Sequence, residues 1–311
     1  MPGAHGRTFG LILTALLVCL HVAAPAGQRT PFRSSVDLVS LSVTVTGEGG
    51  KYISGLAAED FSIFEEGKPQ TLSLFERENS PLAVSLLIDS SGSMLHELGQ
   101  AQEAAAEFIA RLRSDDVAQV VDFDRRIQVL QAFTGDRREL EAALRRMTAR
   151  GSTSMYNAVY IALRELGALA SPPAGQVRRD VIVVLSDGED TSSLVTFDHL
   201  LDAAKRSQTV IYTIGLGLGA VPVRRGAVPP ELALRTLARE TGGRLFLARD
   251  GAGLAGVYNA IAEELASQYV LGYTSNVAGR QGWRRVAVRV VTPGAQARTR
   301  PGYYAGGAGA R

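Results

Sequence analysis

Cysteine is nearly absent from this chain of 311 residues, which contains one, Cys19. A single thiol cannot form an internal disulfide, so no cross-link framework stabilises the fold. Cys19 follows Val18, whereas a lipid-modified cysteine follows a small residue. We therefore expect neither disulfides nor a lipoprotein anchor.

An excess of charge of either sign is also missing. The chain has 33 Lys and Arg residues against 31 Asp and Glu residues, a net charge of +2 with neutral His. Basic pairs such as Arg125-Arg126 and Arg224-Arg225 are scattered, as on a solvated surface. This balance lacks the basic footprint of a nucleic-acid-binding protein, so we predict no nucleic-acid partner.

The apolar run at residues 9–24 has too few strongly apolar residues for a membrane span with its flanks, and Pro25 ends it. Arg7 precedes the run, and Ala24-Pro25-Ala26 has the small-x-small form of a signal peptidase site. We predict that residues 1–26 are a cleaved signal peptide. The mature protein is then secreted or periplasmic and has no stable membrane anchor.

The most informative stretch is the apolar run at residues 82–88, which ends in Asp89, Ser91 and Ser93. Such a run fits a strand that is covered on both faces. Helical spacing follows from Met94, with Leu95 on the apolar face. In open α/β sheets, ligands bind outside the carboxyl ends of the strands. Oxygen-bearing side chains at such an end suit a hard cation such as Mg²⁺.

The hydrophobic pattern divides the chain into three parts. It has a period of two at residues 33–79 and again after 267, whereas strands and amphipathic helices alternate at 82–267. The alternation predicts an α/β fold with a doubly wound, mostly parallel, Rossmann-like sheet. After the first strand, we predict strands at 118–123, 180–185, 209–214 and 243–247, and helices near 136–148, 155–169, 197–207, 231–240 and 253–266.

The two flanking β segments are predicted to form one small sandwich-like domain into which the α/β domain is inserted. Three short strands alone are marginally stable, so each segment needs partners. Val286, Val288 and Val290 offer an apolar face that matches the first segment. The predicted boundaries are 27–80 for the N-terminal β segment, 81–267 for the α/β domain, 268–305 for the C-terminal β segment and 306–311 for a disordered tail.

Two further loops would lie on the same rim as Asp89. Gly151-Ser152-Thr153-Ser154 precedes a helical pattern, and Ser186-Asp187-Gly188-Glu189-Asp190 follows an apolar run. With these loops the chain resembles the von Willebrand factor A domain family over residues 81–267. The residues that match the family's metal-ion-dependent adhesion site are Asp89, Ser91, Ser93, Thr153 and Asp187.

The resemblance implies a Mg²⁺ ion, with Mn²⁺ or Ca²⁺ as alternatives, held partly through water. A carboxylate from a protein ligand would complete the coordination. The flanks look like a bacterial subgroup of secreted A-domain proteins, with Gly55-Leu56, Asp60-Phe61 and Gly272-Tyr273. The implied function is a secreted adhesion or scaffold module that binds a partner's exposed Asp or Glu.

Asn157 departs from the family pattern, where we expect an aspartate more often. It follows Thr153 by one helical turn, so it either tunes the surroundings of the ion or is an ordinary surface residue. Glu189 and Asp190 either add negative charge near the ion or cap the next helix.

An enzyme is the main alternative. An aspartate that ends the first strand of a parallel sheet near Mg²⁺ is also found in phosphohydrolases of the aspartyl-phosphate type. Those enzymes need a second aspartate where this chain has Ser91, and Lys51, Lys68 and Lys205 are poorly placed to neutralise a phosphate. We therefore predict a non-enzymatic protein, and a purely structural envelope protein is the remaining alternative.

Overall fold

A computed structural model describes residues 38–77, 80–173, 176–218, 226–277 and 281–306. The predicted signal peptide and nearly all of the predicted tail lie outside these residues. The strands are β1 (Leu38–Thr46), β2 (Phe61–Glu65), β3 (Lys68–Gln70), β4 (Leu72–Arg77), β5 (Leu82–Asp89), β6 (Val117–Phe123), β7 (Ile127–Thr134), β8 (Arg179–Ser186), β9 (Val210–Leu216), β10 (Leu245–Ala248), β11 (Tyr269–Thr274), β12 (Gly282–Val290), β13 (Gln296–Arg298) and β14 (Gly302–Ala305). The helices are α1 (Leu98–Ala110), α2 (Arg137–Leu144), α3 (Met155–Ala168), α4 (Phe197–Arg206), α5 (Pro230–Thr241) and α6 (Leu254–Ser267).

The central sheet has six strands in the order β10-β9-β8-β5-β6-β7. All neighbours are parallel except β6 and β7, which are antiparallel. The strand order reverses at β5, which lies between β8 and β6. Its carboxyl end is therefore the switch point at which open α/β sheets bind ligands. The predicted doubly wound, mostly parallel sheet is confirmed.

Helices cover both faces of this sheet. Side chains of α1, α2 and α6 form one buried apolar cluster with the sheet, and side chains of α3, α4 and α5 form the other. All eight residues of β5 are buried, which explains its continuous apolar sequence. Helices pack on both faces of β5, so the position of its last residue, Asp89, is fixed by the surrounding core.

Two four-stranded antiparallel sheets combine strands from both ends of the chain. Their orders are β13-β1-β11-β4 and β14-β12-β2-β3. The pairing of β1 and β4 with β11, and of β2 with β12, confirms the predicted association of the two β segments. The exact limits of the two domains remain a prediction.

The core between these two sheets follows the predicted alternation. Apolar side chains at alternate positions of β1 are buried, and Val286, Val288 and Val290 of β12 belong to the same cluster. The other face of β1 is also covered at Thr44, which is buried. Thr44 lies against α6, so this strand contacts both the sandwich and the α/β domain.

A buried carboxylate, Glu264, connects α6 to the flanking strands. Its oxygens accept hydrogen bonds from Tyr212 (2.6 Å), Tyr52 (3.2 Å) and Thr44 (3.3 Å). The guanidinium of Arg298 in β13 forms an ion pair with the same carboxylate. Burial, together with the Glu264 charge, raises the pKa of Tyr52 to about 12. The Glu264 network therefore joins β1, β9, β13 and α6 through one buried charge.

The structure corrects three details of the predicted elements. The antiparallel edge strand β7 was not predicted, because its residues are half-buried and lack a clear apolar alternation. The helix predicted at 136–148 ends at Leu144. Leu95 does not lie on a buried helix face: residues 92–96 form a 3₁₀ turn before α1, and Leu95 is 64% exposed.

No helix among the described residues is long and apolar enough to cross a membrane.

Candidate metal centre

Asp89, the last residue of β5, is fully buried at the carboxyl rim of the central sheet. Its Oδ1 accepts a hydrogen bond from the Ser91 amide (2.9 Å), and its Oδ2 accepts one from the Ser186 hydroxyl (2.7 Å). Burial raises the pKa of Asp89 to about 6, against the lowering effect of these hydrogen bonds. The site therefore holds a carboxylate whose ionisation is costly unless a positive charge is near.

Two serines extend the site from Asp89 to the third loop. The hydroxyl oxygens of Ser91 and Ser93 are 3.0 Å apart, and Ser93 donates a hydrogen bond to Oδ1 of Asp187 (3.0 Å). Burial also raises the pKa of Asp187. Four of the five predicted residues are thus linked through one continuous chain of short contacts.

The second loop, which carries Thr153, is joined to the first by two backbone hydrogen bonds. The Arg150 amide donates to the Ser90 carbonyl (2.7 Å), and the Gly92 amide donates to the Gly151 carbonyl (3.0 Å). Gly151 has a φ of +74°, a conformation that favours glycine. The tight turn at Gly151 therefore fixes where Thr153 lies.

Thr153 is joined to the third loop through its backbone. Its carbonyl accepts hydrogen bonds from the amides of Thr191 (2.9 Å) and Ser192 (3.1 Å). Its side chain is 5% exposed, and its hydroxyl forms no hydrogen bond within the part of the chain that the structure describes. Thr153 thus lies between the same loops as the other four residues, with a hydroxyl that remains available to a ligand.

Asn157 and Asp190 support the third loop, a role that sequence reasoning did not find. The Asn157 side-chain oxygen accepts hydrogen bonds from the amides of Leu194 (3.1 Å) and Val195 (3.0 Å). Asp190 accepts one from the Tyr156 amide (2.8 Å), so it caps α3 and not the helix that follows it. Thr196 caps α4 instead. Neither Asn157 nor Asp190 is a member of the oxygen cluster itself.

Replacement of Asn157 by Ala should loosen this loop. Two hydrogen bonds would be lost, so we expect a stability loss of about 1 to 2 kcal/mol and faster hydrogen exchange at the amides of Leu194 and Val195. Asn157→Asp keeps the acceptor oxygen and is the matched control. Unchanged exchange in Asn157→Ala would contradict the assigned role.

The donor set fits a hard divalent cation. All five side chains offer oxygen, from two carboxylates and three hydroxyls, which is the chemistry that Mg²⁺ prefers. No group of three or more His, Cys, Asp or Glu suited to a metal occurs among the described residues. Within the same residues, neither Asp89 nor Asp187 forms an ion pair with a basic side chain. One buried and one half-buried carboxylate therefore share a site in which neither forms an ion pair with a basic side chain of the described residues.

Comparison with known proteins shows what the α/β domain is similar to. Residues 84–189 match the family model for the von Willebrand factor type A domain. A von Willebrand factor type A structure from Catenulispora acidiphila has a TM-score of 0.51 at 15% identity, over 86% of this chain and 72% of that chain. The family match thus lies within the α/β domain, and the structural likeness shows that the fold is that of a von Willebrand factor type A domain, with additional antiparallel sheets.

Other similar structures include the vWF domain of the type V pili tip protein Mfa5 from Porphyromonas gingivalis. That domain is 16% identical and has a TM-score of 0.49, over 60% of this chain and 95% of that chain. No curated protein matches the sequence. At these identities the structural likeness establishes the fold alone.

Proposed function

We propose that this protein is an exported, metal-dependent binding module that recognises an acidic group on a protein partner. The observation that carries the proposal is a pair of carboxylates, buried Asp89 and half-buried Asp187, joined through Ser91 and Ser93 with no basic side chain as counterion among the described residues. Burying an unpaired charge is costly, so such a pair favours a bound cation.

The residues that would hold Mg²⁺ are Asp89, Ser91, Ser93, Thr153 and Asp187. When bound, the ion would supply the positive charge that a partner's carboxylate oxygen requires. Asp89 is fixed by Ser186 and by its own turn, whereas Thr153 and Asp187 are carried on loops that are bonded to each other. The protein's contribution is to hold these oxygens in place before a ligand arrives.

The charge balance indicates the class of partner. Two carboxylates neutralise a divalent cation, and the three hydroxyls are neutral donors. An exposed Asp or Glu of another protein would therefore meet a site that does not repel it. We propose such a protein ligand, outside the cytoplasm, because the N-terminal 26 residues have the form of a signal peptide.

Melting of the mature protein should depend on Mg²⁺. With free Mg²⁺ at about a hundred times its dissociation constant, the free energy of unfolding should rise by about 2.7 kcal/mol. Thr153→Ala should reduce this gain, whereas Ser62→Ala, at an exposed position on β2, should leave it unchanged. Identical melting in Mg²⁺, Mn²⁺ and EDTA would disprove the metal site.

Partner capture should require both the metal and an acidic residue. A pull-down from envelope extract is expected to retain the partner in Mg²⁺ and lose it in EDTA or with Thr153→Ala, with Ser62→Ala as control. Neutralising one Asp or Glu of the recovered partner should weaken binding more than changes at neighbouring residues. Capture that survives EDTA and Thr153→Ala would refute the mode of binding. Metal-dependent hydrolysis of phosphate monoesters that is lost in Asp89→Asn would instead support the enzyme alternative.

A further inference from the structure

A cavity of about 260 Å³ opens at the edge of the central sheet opposite the candidate metal centre. Leu82 and Arg179, which line it, are the first residues of β5 and β8, whereas Asp89 is the last residue of β5. The rest of the lining comes from the ends of α1 and α6 and from the segment after α1. The cavity is therefore separate from the proposed metal site.

Arg179 brings a buried positive charge to this cavity without a direct counterion. Its guanidinium donates to the carbonyls of Ser80 and Leu265 and to the side-chain oxygen of Gln268, all of them neutral acceptors. These contacts use four of its five N–H groups. It forms no ion pair with the described residues. Burial lowers the pKa of Arg179 to about 10, with a smaller contribution from Arg113.

Asp116, the acidic residue of the lining, already accepts hydrogen bonds from the protein backbone. The two oxygens of Asp116 accept hydrogen bonds from the amides of Leu82 and Arg113, both at 2.8 Å. The Arg113 guanidinium lies 3.7 Å from Asp116 and 3.7 Å from Asp115. Exposed Arg111, also in the lining, forms no ion pair among the described residues. The lining thus carries three arginines and one aspartate.

The remaining walls are apolar. They are formed by Leu82, Phe108, Leu112, Ala262, Leu265 and Ala266. The volume of about 260 Å³ is small. A ligand that fits must therefore be small, with an anionic end for the arginines and an apolar remainder for the walls.

We propose that this cavity binds a small amphipathic anion, a carboxylate with a short aliphatic chain. The carboxylate would contact Arg111 and Arg179, and the chain would lie against Phe108 and Leu112. The fifth N–H of Arg179, which its contacts to neutral oxygens leave unused, can donate to this carboxylate, and a hydrogen bond between two ionised groups is stronger than one to a neutral oxygen. The apolar chain adds the hydrophobic gain that a bare inorganic anion lacks.

Octanoate is the probe, and octanol and acetate are its controls. Amide chemical shifts of the mature protein in EDTA are followed during titration to millimolar concentration, which removes any contribution from the metal site. Octanoate should shift amides around residues 108–116 and 262–266, whereas octanol and acetate should bind at least about tenfold more weakly, because each lacks one of the two interactions. Equal binding of octanoate and octanol, or no shifts with octanoate, would overturn the proposal.

Variants test which side chains bind the probe. Arg111→Gln removes one charge from an exposed position and should weaken octanoate binding about tenfold. Ala266→Phe should block the opening, whereas Arg145→Gln removes the same charge from an exposed position directly after α2 and should have no effect. Octanoate affinity that is the same in all three variants would place its binding elsewhere and refute this site.

Discussion

Asp89→Asn is expected to stabilise the metal-free protein at neutral pH while it abolishes the response to Mg²⁺. The pKa of Asp89 is about 6, against an ordinary value of 3.8, and burial is the main cause. This difference corresponds to about 3 kcal/mol that the ionised side chain costs the folded state at neutral pH. Asn keeps an oxygen for the Ser91 amide but carries no charge, so the cost disappears.

The raised pKa of Asp89 also predicts how the stability of the metal-free protein changes with pH. The folded state holds the Asp89 proton more tightly than the unfolded chain does, so stability contributed by the protonated form is present below pH 3.8 and is lost as the pH rises through about 6. Metal-free wild type should lose stability across this interval relative to Asp89→Asn. Denaturant unfolding in EDTA at several pH values measures the difference. Parallel curves for the two proteins would mean that Asp89 does not carry this cost.

Glu264→Ala should produce the largest loss of stability. Removal of the buried carboxylate leaves Arg298 without its ion-pair partner and leaves Tyr52 and Tyr212 without their acceptor. Breaking a buried charge pair from one side typically costs about 3 to 5 kcal/mol. Because Arg298 keeps two carbonyl contacts, at Gly242 and Gly243, we expect the lower end of this range.

Glu263→Ala is the matched control for Glu264→Ala. Glu263 is the preceding residue of α6 but is exposed, so its removal should change stability by less than about 0.5 kcal/mol. Glu264→Gln keeps the shape and loses the charge. The pKa of Tyr52 should fall in that variant, although burial keeps it above its ordinary value. Equal losses from Glu263→Ala and Glu264→Ala would show that the buried charge is not the cause.

Secondary structure and strand pairing could be predicted from the sequence where a single physical requirement determines which residues are used. A strand covered on both faces needs an uninterrupted apolar run, so β5 and its terminal Asp89 could be predicted from residues 82–89 alone. Marginal stability of short β segments likewise predicted that the two ends of the chain pair with each other. Both inferences depend on local composition and on simple counting of strands.

The parts that were missed depend on contacts between distant residues. For Asn157 the sequence left open a role near the ion or at the surface, and for Asp190 a charge near the ion or a cap on the next helix. Nothing in the sequence shows that α3 meets the loop at 190–195, so their contacts could not be predicted. Glu264 was not singled out from the sequence, because its partners Thr44 and Arg298 lie far from it along the chain. Polar residues buried by tertiary contacts are the features that periodicity cannot reveal.

The pairing of both chain ends in the same sheets has a consequence for the order of folding. Leu38 pairs with Thr274, so β1 cannot join its sheet until more than two hundred residues have followed it. The cost of closing so long a loop is entropic, and folding of the intervening domain reduces it. Arg179 holds the carbonyls of both Ser80 and Leu265, close to the two points at which the chain enters and leaves that domain. The α/β domain should therefore acquire structure first and act as the template on which the flanking strands assemble.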